Sequence, residues 1–138
     1  MIRIFGIKYD GFIKKGDNLA RITIESLRKD GVQVENGDVV TLTHVAVSKA
    51  MGYMVRLSEV KPSPLAVALA DRLCKPPEEV EIILRESREI VRLSGRRIIT
   101  KNRGGIVCAN SGIDLSNVDG GLSVAFQPRN PDRIARKI

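Results

Sequence analysis

The densest group of residues able to do chemistry lies at positions 107–118, where Val107, Cys108 and Ala109 lead into Asn110, Ser111, Gly112, Ile113, Asp114, Leu115, Ser116 and Asn117. Two amides, two hydroxyls and one carboxylate thus follow directly on what reads as a strand. A strand fixes such groups and the loop turns them toward a ligand. Asp114 is suited to be a hard oxygen ligand for Mg²⁺ or Mn²⁺, while Asn110, Ser111, Ser116 and Asn117 offer donors and acceptors for phosphate, ribose or water. The competing reading is a purely structural loop, because the same residue types build ordinary turns through local side-chain bonds and tolerance of positive φ.

A second candidate is Ser48, Lys49 and Ala50, expected just past a strand and shortly before Gly52. An ammonium beside a hydroxyl suits phosphate binding. The glycine-rich approach of a Walker motif is missing, so this is not a P-loop, and a plain surface lysine is the alternative. His44, the only histidine, is expected at the end of a buried strand and reads as a hydrogen-bonded structural residue rather than a general base.

The elements that must carry these groups can be read in order. Residues 1–7 alternate loosely and suggest a first strand. Gly16, Asp17 and Asn18 signal a helix start, the apolar spacing of Leu19, Ala20, Ile22, Ile24 and Leu27 continues it, and Gly31 is placed to end it. Asn36 and Gly37 mark a turn before the β-branched run 38–45, which predicts a strand paired with another at 53–57.

Ser63 as cap and Pro64 at the first helical position open a helix with a stripe at Leu65, Leu69 and Leu73. Pro76 and Pro77 stop it, and Pro77 opens another with Val80, Ile83 and Leu84 on one face. Short strands are predicted over 89–93, 97–101, 106–109 and 122–126, with turns at Gly95 and at Gly104 and Gly105. Asn130, Pro131 and Asp132 open a last helix whose apolar pair, Ile134 and Ile138, does not complete a buried face. The expected fold class is α/β in the broad sense, a mixed α+β arrangement in which a mixed sheet of short strands packs with about three helices. Residues 1–138 form one domain.

Composition bounds the function. The chain is 43% hydrophobic and 28% charged, which is globular, and only 4% aromatic without Trp, so its core is aliphatic and a base-stacking platform is poorly supplied. Two distant cysteines, Cys74 and Cys108, fit no metal-ligand spacing and suggest two buried thiols in a reduced setting. No leader pattern or membrane-length apolar run is seen, so a soluble cytoplasmic protein is expected, with no membrane partner. A net charge of +7 predicts anionic partners or ligands without choosing among nucleotide, nucleic acid and anionic cofactor.

Taken together, Gly16-Asp17-Asn18-Leu19, Asp38-Val39-Val40, Ser48-Lys49-Ala50, Pro64 with its Leu-rich helix, Leu84-Arg85-Glu86-Ser87-Arg88-Glu89 and the run from Val107 through Asp114 to Asn117 give an order of motifs. In that order the chain resembles the N-terminal part of the coenzyme F(420)-0: L-glutamate ligase family, the gamma-glutamyl ligases that add glutamate to the deazaflavin coenzyme F(420). The resemblance covers nearly all of this chain but about half of a usual member, so it implies a fragment or shortened homologue lacking the family's C-terminal half.

The resemblance implies GTP as co-substrate, an acyl phosphate as intermediate, L-glutamate and a deazaflavin coenzyme precursor as the joined molecules, and Mg²⁺ or Mn²⁺ as cofactor with potassium as a further ion. Apolar edges left by the absent half favour self-association, so a homodimer is expected. By motif position it implies Asp114 as a metal ligand, and Asp10, Gly11, Phe12, Ile13, His44, Val45, Lys49 and Asn117 as nucleotide contacts. Met51 stands where the family tends to carry Glu. Two other classes compete: a non-catalytic basic module holding nucleotide or RNA, and a structural subunit that keeps the fold without the site.

Overall fold

The computed structural model describes residues 1–115 and 118–138. Asn117, one of the expected nucleotide contacts, and Ser116 lie outside the described residues. The chain forms an α+β fold, as expected, with five α-helices among the described residues and two small antiparallel sheets in place of one mixed sheet.

The core is a helical hairpin laid against a strand. Helix α3, Pro64–Leu73, starts where the Ser63 hydroxyl accepts from the Ala66 N–H at 3.2 Å, with Pro64 at its first position. Helix α4, Pro77–Glu86, follows after Cys74, whose left-handed φ of 50° turns the chain. Ala66, Ala70 and Leu73 of α3 meet Val80 and Ile83 of α4 and Ile98 of a facing strand, and these side chains are almost fully shut from water. Two of the three buried α3 side chains in this cluster, Ala66 and Ala70, are small. Leu65, expected in that stripe, is exposed.

Ile98 belongs to a three-stranded meander of β2, Ser87–Ser94, β3, Arg97–Asn102, and β4, Val107–Ala109. Gly95 has φ +55° in the β2–β3 turn, a conformation that costs glycine little. The second sheet pairs β1, Met54–Arg56, with β5, Ser123–Ala125, so that Met54 faces Ala125 and Arg56 faces Ser123. Helix α1, Leu19–Lys29, is capped by the Asn18 carboxamide accepting from Arg21 N at 2.9 Å, and α2, His44–Met51, by Thr43. Helix α5, Pro131–Ala135, adds Ile134 to Leu19, Val47 and Ala50 in a separate apolar cluster.

Three expectations fail together. Residues 1–7 and 38–43 are in no strand, and His44 begins a helix instead of ending a strand. The β-branched run at Val39 and Val40 meets no neighbouring strand among the described residues, and both side chains are exposed. Strand propensity expresses packing and pairing and is weak without them. The strand at 53–57 therefore finds its partner in β5. The thiols differ too: Cys74 is exposed and Cys108 half-buried, where partial burial raises its pKa above the usual thiol value. Among the described residues no helix is long and apolar enough to cross a membrane.

Candidate functional site

The C-terminal end of α2 fixes one wall of a cleft of about 480 Å³. Gly52 ends the helix at φ +71°, and its amide bonds back to Lys49 O at 3.1 Å. The preceding loop is pinned to this end, because Gly16 N donates to Ala50 O at 2.8 Å. The methylenes of Lys15 lie directly over Gly52, so a Cβ there would fall 2.8 Å from Lys15 Cδ. The backbone angle favours glycine at 52, and a Cβ there would push the lysine methylenes aside.

Phe12, Ile13, Lys14 and Lys15 line one side of the cleft and Lys49 another, while β1 and the turn after it add Arg56 and Glu59. Asp119 and Ser123 close it. Lys14, Lys15, Lys49 and Arg56 form no ion pair within 4.0 Å with any described residue. Asp119 is already engaged: Ser123 N donates to Oδ1 at 2.7 Å and Ser123 Oγ to Oδ2 at 2.6 Å. Those bonds, the hydroxyl's first, hold its carboxyl below the usual carboxylate range against a smaller opposing effect of burial, and Arg56 assists. Four cations facing two carboxylates leave a cleft of positive sign, suited to a multiply charged anion such as a polyphosphate. Lys49 also complements the negative end of α2, a purely structural role in the same position.

Of the expected nucleotide contacts, the cleft gathers Phe12, Ile13 and Lys49. Asp10 and Gly11 are exposed outside it, with Asp10 paired to Lys8 at 3.1 Å. Val45 is buried in the fold. His44 lines a different, apolar cleft of about 410 Å³ with Ile24, Val40, Leu42 and Ile134, where its Nε2 is buried with no hydrogen-bond partner among the described residues. Ser48 is fully buried, and its hydroxyl donates to Phe126 O, tying α2 to the residue that follows β5 rather than serving phosphate. Lys14, Lys15 and Arg56 carried no motif. Their only sequence signal was a Lys pair ahead of Gly16 and a charge in a predicted strand.

Asp114 sits in a bridge to β5: its N–H donates to Ala125 O at 3.0 Å and its carbonyl accepts from Ala125 N at 2.8 Å. It is half-buried and is not among the residues that line the cationic cleft. The turn ahead of it is held rigidly. Asn110, Ser111 and Gly112 are all left-handed, at φ 52°, 55° and 74°. The buried Ser111 hydroxyl joins Ser87 Oγ at 2.7 Å, Thr100 Oγ1 at 2.8 Å and Ile83 O at 2.9 Å. Ser111 therefore anchors the loop rather than binding a ligand. Among the described residues no three His, Cys, Asp or Glu side chains gather as a metal site. The described carboxylates do not make a complete ligand set for a divalent cation.

The profile of the family described as F420-0:Gamma-glutamyl ligase matches residues 6–138. The chain belongs to this family. The Coenzyme F420:L-glutamate ligase of Methanopyrus kandleri is 43% identical over 137 residues, 99% of this chain and 52% of the relative. The enzyme of the same name from Methanothermobacter thermautotrophicus is 42% identical over 99% of this chain and 54% of its own length, and that of Archaeoglobus fulgidus 37% over 99% and 52%. The chain thus spans about half the length of the curated ligases it matches.

Proposed function

We propose that this gamma-glutamyl ligase relative is the nucleotide-holding part of a GTP-dependent ligase that joins L-glutamate to a coenzyme F420 precursor. The observation that carries the reading is the set of four cations, Lys14, Lys15, Lys49 and Arg56, which line one cleft and form no ion pair within 4.0 Å with any described residue. In the proposed reaction a carboxylate of the precursor attacks the γ-phosphorus of GTP, the β–γ bridging bond breaks, and GDP leaves with an acyl phosphate formed. The glutamate amine then attacks the acyl carbon, and phosphate departs as the amide forms. The lysines and Arg56 would hold the phosphates and offset the charge on the transferring group. By motif position Asp114 would offer one carboxylate to a Mg²⁺ or Mn²⁺ ion, from outside the lining of this cleft. One carboxylate is a partial set, so the cations are assigned the main role in binding phosphate.

Isothermal titration of GTP into the chain, with and without Mn²⁺, tests this. Wild type should bind. Lys49→Ala should weaken binding roughly 10-fold or more, the range expected for one charge-assisted contact. Asp114→Ala should leave metal-free binding intact and remove the gain from Mn²⁺. Binding that is indifferent to Lys49→Ala would overturn the assignment of the cleft.

A further inference from the structure

Residues 1–13 make no backbone hydrogen bond with any described residue, and they are in no helix or strand. Yet the segment is strongly apolar: Ile2 and Ile4 are 90% and 91% exposed, and Phe5, Ile7 and Tyr9 are exposed as well. In an extended chain successive side chains face opposite ways, so Ile2 and Ile4 fall on one side and Phe5, Ile7 and Tyr9 on the other. Apolar residues on both faces are the mark of a strand covered from both sides, not of a half-exposed edge. A free row of N–H and C=O groups with such side chains is a template for sheet pairing and a hazard when left open.

The chain matches 52% of the Methanopyrus kandleri ligase, so that relative carries nearly as much polypeptide again. The apolar cleft beside His44 and the exposed Val39 are further apolar surface open on this chain. We propose that residues 2–9 add as a strand to an open sheet edge in the half of the ligase that this chain does not match, and so join the two halves. The proposal rests on the ligase reading above and names the surface through which the second half is engaged. Backbone pairing would supply affinity, and pockets for Ile4 and Phe5 on opposite faces would set the register.

The test mixes the full chain with the separately produced unmatched half of the Methanopyrus kandleri ligase, first shown by circular dichroism and a cooperative melt to fold alone, and follows amide hydrogen exchange. The two should associate, and exchange at residues 2–9 should slow at least tenfold. Ile4→Pro, which removes a ladder donor, and Ile7→Asp should each weaken association at least tenfold. Neither should change the circular dichroism or melting of the chain alone, because residues 2–9 make no backbone hydrogen bond with any described residue and their one ion pair, Lys8 with Asp10, is local. Three results overturn the proposal: association with unchanged exchange at 2–9, protection of 2–9 in the chain alone that grows with its concentration, or no association at all. GTP binding by the chain alone is measured alongside. Its loss would sink the ligase reading, and its survival without association would sink only the docking surface.

Discussion

Glu81 shows how a buried charge is tolerated on the helical hairpin. Its carboxylate accepts from Ser63 N at 2.8 Å and from Arg85 Nε at 2.7 Å, so it ties the start of α3 to the body of α4. The bonds from Ser63, ahead of the contribution of Arg85, hold its pKa below the ordinary glutamate value despite burial. Because the folded state lowers the pKa, the stabilisation is present above the unfolded value and is lost as pH falls through the folded one. Glu81→Gln should cost about 1–2 kcal/mol at neutral pH by urea unfolding, as expected for a bond to a charged group. The gap between variant and wild type should close in acid, below the ordinary carboxylate range.

Gly52 carries a prediction at the level of the element. An alanine there must adopt a left-handed angle that costs about 1–2 kcal/mol, and its Cβ must displace the methylenes of Lys15. Gly52→Ala should lower the melting temperature and also weaken GTP binding several-fold, whereas Gly37→Ala, at φ +99° with open space around it, should change stability without touching GTP. Helix starts were legible in the sequence because their signals are local: Asn18, Ser63 and Asn130 each accept from the backbone three residues on. The hairpin of β2 and β3 was legible for the same reason. The run at 38–45 misled because β-branched residues need a neighbouring strand, and no residue type announces whether one is present. Lys49 could be named as a cation, but its meeting with Lys14, Lys15 and Arg56 depends on contacts between distant segments.

The charge of the whole molecule tests the choice between nucleotide and nucleic acid. The excess of +7 includes Arg88, Arg92, Arg96, Arg97 and Lys101, all on or beside the β2–β3 hairpin and away from the cleft. If the cleft is the site, GTP affinity should fall only modestly between 50 and 200 mM salt. A stretch of RNA held by six to ten phosphate contacts would lose roughly 10³–10⁵ over the same range. A salt titration of both ligands separates the two.

The pairing of β1 with β5 joins segments that lie on either side of the helical hairpin and the meander in the sequence. Residues from α3 to β4 form an uninterrupted run rich in near-neighbour contacts, so they should assemble early and come apart last, while the β1–β5 closure bears the larger loop entropy and should open first. The cationic cleft hangs on that closure through Arg56 and Ser123. A bound triphosphate would therefore act as a latch, and native-state exchange at Met54–Arg56 and Ser123–Ala125 should slow on adding GTP while exchange in α4 stays as it was.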